Sequence, residues 1–314
     1  MVNFMYNKKM KLLLLSLLFV FTIDAKMLEY QLVPKHYNTN EFMHIKILDA
    51  KYLKFKDNKG KVVSELSGLA YCTDGLYAVS DNGYLYNFTI DIKDNTIEKL
   101  KLKNSFVLRD ENGVVLHGAL RDAEGLSMYY DQLLISFERK ERIAVYSKNG
   151  IALKNIKLNK HLRDDDNFQG KNKGLESVAY NRKYGIITAP EDRLKTTKKK
   201  YHTLFARNEH WMFKAKGSIT SIDFLDDDTA IVLMRKYQFL GERFTSLVRV
   251  HLDRCDKRRV CQSEVLAKFE SSKGWNIDNF EGLCKVDTNK FLMISDDNDS
   301  LFQKTLLVLF EVMN

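Results

Sequence analysis

One pattern recurs five times along this 314-residue chain, about fifty residues apart, and it constrains the fold more than any other feature. Each unit opens on a polar residue, followed by a small residue and then an aliphatic one. The openings are Ser67 in SGLAYC, Glu124 in EGLSMY, Glu176 in ESVAYN, Thr220 in TSIDFL and Glu281 in EGLCKV. Twelve or thirteen residues after the aliphatic comes a second polar position: Asp81, Glu138, Glu191, Arg235 and Asp296. A turn signal separates the two halves of each unit.

Between these markers the chain is a series of short apolar runs broken by turns, such as LYAVSDNG, RIAVYSKNG, TAIVLMRK and FLMISDDN. Helical periodicity is nearly absent. Short strands at this spacing predict an all-β fold, and a long regular period predicts propeller blades. The repeat count gives five blades, with six as the alternative. Outer strands are visible in LYNFTI with TIEKLKL, in IAVYS with ALKNIKL, and in TSLVRVHL with SEVLAKF. The last unit has only three strands, ending in TLLVLFEV. The early run Met43 to Phe55, MHIKILDAKYLKF, is expected to supply the fourth and close the ring, which also protects sheet edges.

A hairpin places the start of its first strand beside the end of its second. Both polar positions of a unit therefore fall at one edge of its sheet. If the units are the inner strands of blades, one mouth of the central channel collects Glu124, Glu176, Glu281, Asp81, Glu138, Glu191 and Asp296. Arg235 faces them as the one cation, with the hydroxyls of Ser67 and Thr220.

The elements LSGLAY…LYAVSD, DAEGL, NKGLESVAY, TAIVLMRKY and DNFEGL…SDDN resemble the phytase-like, esterase-like family of exported bacterial proteins. The resemblance runs in order from about Leu66 to Val312. It implies a β-propeller and hydrolysis of phosphate or other esters. The glutamates of DAEGL, GLESV and NFEGL match family positions, as does Arg235. The family has Glu before that Arg where this chain has Met234. The acid-rich signature of the calcium phytases, which are also propellers, is not found, so phytate itself is not the implied substrate.

Clustered carboxylates raise one another's pKa unless a cation neutralises them. All-oxygen ligands favour a hard divalent cation, Ca²⁺ first and Mg²⁺ second. Such an ion polarises a phosphoryl or carbonyl oxygen and activates water. Glu124, Glu176, Glu281 and Arg235 are the expected catalytic residues. All seven carboxylates of the mouth, Asp81, Glu124, Glu138, Glu176, Glu191, Glu281 and Asp296, are expected metal ligands. The expected function is metal-dependent hydrolysis of an ester, a phosphoester by preference, on a small anionic substrate. The alternative is a non-enzymatic propeller that binds a ligand or protein at its mouth, since the fold hosts both. On that alternative, carboxylates at strand ends tie turns by accepting backbone N–H groups.

The N-terminus has a basic start at Lys8, Lys9 and Lys11 and an apolar run from Leu12 to Phe21, then Ala25. This is the layout of a signal peptide over residues 1–25, leaving residues 26–314 as a single propeller domain in the periplasm or secreted. The run is short for a membrane span, so no stable insertion is expected after cleavage, and a monomer is expected. An exported chain meets an oxidising compartment. Cys255 and Cys261 flank the polar turn DKRRV and are expected to be bridged. Cys72 and Cys284 lie in the first and last units, and a second bridge forms there if ring closure brings their Cα atoms within about 7 Å.

Other schemes lack their residues. There is no G-x-S-x-G elbow, no P-loop and no H-E-x-x-H. The seven His are scattered, and His117 and His210 read as structural. The formal charge of +9 is dispersed, without the basic face that nucleic acid needs. The one cluster, LKTTKKK at Leu194 to Lys200, reads as a solvated loop, or as an attractor for an anionic substrate or surface. RDDDN at Arg163 to Asn167, the acids Asp226 to Asp228, and Asp297 to Asp299 read as turns.

Overall fold

A computed structural model describes residues 26–237 and 242–313. The leader expected over residues 1–25 lies outside the described residues. The chain opens with β1 (Lys26–Glu29), β2 (Glu41–Phe42) and β3 (Ile45–Lys54). The first blade follows as β4 (Leu66–Cys72), β5 (Gly75–Ser80), β6 (Tyr84–Lys93) and β7 (Thr96–Val107). The second is β8 (Ala123–Tyr129), β9 (Gln132–Phe137), β10 (Arg142–Tyr146) and β11 (Ala152–Ile156). The third is β12 (Leu175–Asn181), β13 (Gly185–Pro190), β14 (Tyr201–Phe205) and β15 (His210–Lys214). The fourth is β16 (Ser218–Asp226), β17 (Thr229–Tyr237), β18 (Arg243–Cys255) and β19 (Cys261–Glu270). The fifth begins with β20 (Asn279–Lys285), β21 (Lys290–Asp296) and β22 (Leu306–Val312).

Each of the first four blades is an antiparallel four-stranded sheet. The fifth is completed from the other end of the chain. Its order is β1-β3-β22-β21-β20, with β2 on β3, and Val308 sits opposite Ala50. The expected closure by the 43–55 run is therefore present, and the blade number is five rather than six. The first strands β4, β8, β12, β16 and β20 neighbour one another in turn and form the inner ring.

The apolar runs lack the alternation of half-buried strands because both faces of every blade are covered. Among the described residues, five apolar clusters form, one in each gap between blades. Successive side chains of a strand point to opposite faces. In β17, Ile231 and Leu233 pack towards the fifth blade, while Ala230, Val232 and Met234 pack towards the third. The turns follow local chemistry. Asp94 and Asn95, between β6 and β7, both hold φ > 0 (47° and 68°), the conformation of a type I′ hairpin. Asp226 and Thr229 pair across the Asp227-Asp228 turn.

Cys255 and Cys261 face each other at the end of the β18–β19 hairpin and form a disulfide. The second bridge does not form, and Cys72 and Cys284 are free thiols. Strand parity explains the difference. Cys284 packs in the gap between the fifth and first blades, whereas Cys72 packs in the gap between the first and second. The first blade itself stands between them. Among the described residues, no helix is long and apolar enough to cross a membrane.

Candidate functional site: an acidic ring built on five bulges

Each inner strand breaks register with its partner at the same place. The slips fall between Leu66 and Gly68, Ala123 and Leu126, Leu175 and Ser177, Ile219 and Ser221, and Phe280 and Gly282. The residues left out of pairing include Ser67, Glu124, Glu176, Thr220 and Glu281, the opening residue of every repeat. A bulge re-aims a side chain that regular pleating would bury in a sheet face. The small residue that follows has its own cause. A Cβ on Gly68 would lie 2.7 Å from Glu124 O and Leu126 N of the next inner strand. One on Gly125 would lie 2.7 Å from Val178 N. Inner strands touch there, and only a minimal side chain fits. The aliphatic third residue fills a gap between blades, as Leu69 and Leu126 do.

The carboxylates are brought together and buried. Glu124, Glu138, Glu176, Glu191, Glu281 and Asp296 are each between 3 % and 8 % exposed, and Asp81 and Arg235 are half-buried. They divide into two parts. Oxygens of Asp122, Glu124 and Glu138 all lie within 4.8 Å of one another, as do those of Glu138, Glu176 and Glu191, so Glu138 belongs to both triples. Across the channel, Arg235 pairs with Glu281, with Glu191 at 3.4 Å and with Asn279 Oδ1 at 2.8 Å. Asn279 Nδ2 donates to Glu281 at 2.7 Å and to Asp296 at 3.4 Å. Glu281 and Asp296 thus sit in a polar network around one guanidinium, outside the two triples. Asp81 is also outside the triples, and its Oδ1 has no hydrogen-bond partner among the described residues.

Several partners differ from expectation. Arg235 is not the one cation at the mouth: Lys173 pairs with Glu191, and Arg139 Nε lies 2.8 Å from Asp122 Oδ2. Thr220 donates its hydroxyl to Phe280 O at 3.1 Å, and Ser67 turns its hydroxyl towards Glu65 O, so both serve the backbone. Backbone ties also involve the acids. Glu138 accepts from Gly174 N at 3.1 Å, and Asp296 from Asn298 N at 2.7 Å. Asp297 accepts from Glu65 N and Thr305, as a turn residue does, and Asn298 and Asp299 have φ > 0. Asp164 caps the short 3₁₀ turn Asp165–Asn167.

The electrostatics follow from this crowding. Burial, then Asp122, Glu138 and Asp81, push Glu124 well above the usual carboxylate range. Burial, then Glu124 and Glu191, do the same to Glu176. Glu138 is raised to about 7 by burial and by Asp122 and Glu191, against the opposing Gly174 N–H. Asp81 reaches about 7 through burial and the charges of Glu65, Asp296 and Asp122. Asp296 reaches about 6, chiefly through burial. Among the described residues, Arg235, Lys173 and Arg139 are the cations that form ion pairs with these eight carboxylates, which leaves negative charge for protons or a bound cation to balance.

Sequence reasoning missed Asp122 and Asn279. Their signal was in the repeat. Both lie two residues before a bulged glutamate, a place held in the other units by Glu65, Gly174 and Ser218. The opposite end of the channel is different in character. There a cavity of about 620 Å³ is lined from all five inner strands, by Ala70, Met128, Tyr180, Asp223 and Lys285 among others, and contains no member of the acidic ring.

Among solved structures, the chain is similar to the PQQ-bound aldose sugar dehydrogenase of Streptomyces coelicolor, at 11 % identity and a TM-score of 0.45, covering 85 % of this chain and 97 % of that one. It is equally similar to the glutaminyl cyclase of Myxococcus xanthus, at 11 % identity and a TM-score of 0.45, covering 86 % and 97 %. No curated relative matches the sequence. The family model described as "Phytase-like: Esterase-like activity of phytase" matches residues 61–299, which spans the first strand of every blade and all of the acidic ring. The chain belongs to this phytase-like family.

Proposed function

We propose that the protein is an exported, metal-dependent ester hydrolase acting on a phosphoester at the acidic mouth of its channel. The observation that carries this is the pair of buried carboxylate triples sharing Glu138. Their donor set is all oxygen and carries more charge than the nearby cations offset, which suits a hard divalent cation, Ca²⁺ before Mg²⁺. Asp122, Glu124, Glu138, Glu176 and Glu191 would hold the ion, with Asp81 in reserve at the rim. When bound, the ion supplies Lewis acidity for a phosphoryl oxygen and a more acidic water.

The protein's own groups take the remaining tasks. Arg235, oriented by Glu281 and Asn279, binds an anionic substrate oxygen. Glu138 is raised to about 7 only while the ring is free of metal; as a ligand it would stay ionised and orient the reacting water. Asp296 keeps Asn279 in place. The family description supports hydrolysis of an ester. The disulfide fits an oxidising compartment, and we assign residues 1–25 as a signal peptide and the remainder as one propeller domain, periplasmic or secreted and monomeric.

A second reading rests on a specific observation. Glu138 and Asp296 accept backbone N–H bonds, so part of the ring also ties turns. Calcium titration of EDTA-treated protein by calorimetry, followed by assay on phosphomonoesters, phosphodiesters and carboxylic esters, tests the proposal. Stoichiometric Ca²⁺ binding with metal-restored phosphoesterase activity is expected. No divalent-metal binding by wild type would overturn it.

A further inference from the structure

The lysine-rich segment between β13 and β14 is not absorbed by the acidic mouth. It forms one wall of a separate cavity of about 440 Å³ on the flank of the third blade, reaching the β18–β19 hairpin of the fourth. Lys198, Lys200 and Arg258 line it, together with His161 and His210. No carboxylate lines it. None of the three permanent cations forms an ion pair with a described residue, although Arg259, next to Arg258, does so with Glu209; Lys200 Nζ lies 5.2 Å from the centre of the Tyr201 ring. Asp256, two residues before Arg258, accepts from the backbone N–H groups of Arg258 and Val260 and feels the Arg258 charge without forming an ion pair with it.

The second observation lies inside the cavity. Thr203, on β14, lines it and is only 4 % exposed, yet its Oγ1 has no hydrogen-bond partner among the described residues. A buried hydroxyl without a partner is costly, and native structures rarely leave one so. Its chemistry matches that of the rim: Thr203, Lys198, Lys200 and Arg258 line one cavity, and each carries a donor from which an oxyanion accepts.

We propose that this flank cavity binds a phosphate group, with Thr203 donating from the floor and Lys198, Lys200 and Arg258 closing on it from the rim. The phosphate comes either from a free phosphorylated molecule or from an anionic lipid headgroup. The site is independent of the mouth, and its ligand is not the ester being hydrolysed there.

The test uses the full protein, stripped with EDTA so that no metal at the mouth bridges to phosphate. Pyrophosphate binding is measured by calorimetry at low salt. In parallel, co-sedimentation compares phosphatidylglycerol vesicles with phosphatidylcholine vesicles. Binding is expected in at least one arm, and the arm identifies the source of the phosphate. K198Q/K200Q/R258Q should weaken it at least about 10-fold, since an exposed pair is worth up to about 5-fold. Thr203→Val should weaken it about 5-fold with an unchanged or higher melting temperature, because it removes an unpaired buried hydroxyl without opening space. Absence of binding in both arms overturns the proposal. So does either variant binding as tightly as wild type. Loss of calcium binding in wild type, by contrast, touches only the reading of the mouth.

Discussion

Asp122 and Asn279 hold the same place in two blades, each two residues before a bulged glutamate, and they set opposite local chemistry. Asp122 adds a charge to the triple with Glu124 and Glu138. Asn279 instead donates to Glu281 and Asp296 and accepts from Arg235. One atom, oxygen or nitrogen, separates a cation-seeking corner from a self-neutralised one.

Asn279→Asp should therefore harm the metal-free protein. It removes two donated hydrogen bonds and places a third carboxylate against Glu281 and Asp296. A loss of about 2 kcal/mol is expected, read as a lower melting temperature in EDTA. Asp122→Asn should do the reverse, leaving the EDTA melting temperature unchanged or raised while weakening Ca²⁺ binding by calorimetry. Equal effects of the two changes would contradict the division of the ring.

The two glutamates of the EGL motifs should separate in the same way. Glu124→Gln relieves repulsion and should not lower stability without metal, yet it should weaken divalent-cation binding at least 10-fold, since hard-cation affinity follows ligand charge. Glu281→Gln removes the charge that faces Arg235 and should cost about 2 kcal/mol with or without metal. Melting curves in EDTA and in Ca²⁺ distinguish them. Glu124→Gln melting lower in both, with metal binding intact, would favour the turn-tie reading.

Stability should fall as pH rises in the absence of metal. Glu138 and Asp81 are held near 7 in the folded protein, against ordinary values of 4.5 and 3.8. Between those limits the folded state holds protons that the unfolded state has released, so unfolding becomes easier with rising pH. The Glu138 shift alone corresponds to on the order of 3 kcal/mol. The EDTA-treated protein should melt higher at pH 5 than at pH 8, and Ca²⁺ should flatten the slope. A metal-free protein more stable at pH 8 would be incompatible with the crowded ring.

The architecture was legible because its signals are local. A hairpin of fixed length, repeated five times, points to five blades, with six left open until the closing strand is placed, and says which residues share an edge. The 43–55 strand was legible because the last unit is one strand short. What stayed hidden depends on sub-residue geometry. Nothing in EGL announces that Glu124 or Glu281 is a bulge, because the slip shows only against the partner strand. Cys72 and Cys284 looked like neighbours because the first and fifth blades are, but their parity sends them into different gaps. The engagement of Thr220 with Phe280 O likewise required the next blade.

The contact between inner strands should be the least forgiving feature of the fold. Gly68 has no need of a left-handed backbone, so its role is purely steric. Its missing Cβ makes room for Glu124 O and Leu126 N at 2.7 Å, both backbone atoms that cannot rotate away. Gly68→Ala must push the first and second inner strands apart, which disturbs the apolar gap holding Leu126 and the seat of Glu124 together. Overpacking of this kind costs about 1–3 kcal/mol, and because the shift reaches Glu124, Ca²⁺ affinity should fall alongside the melting temperature. Gly60→Ala is the control. It sits in a surface turn with nothing within 4 Å, so any cost there comes from its φ of 81° alone and should leave Ca²⁺ binding unchanged. If Gly68→Ala melts like wild type and binds Ca²⁺ normally, the inner strands are not packed as described.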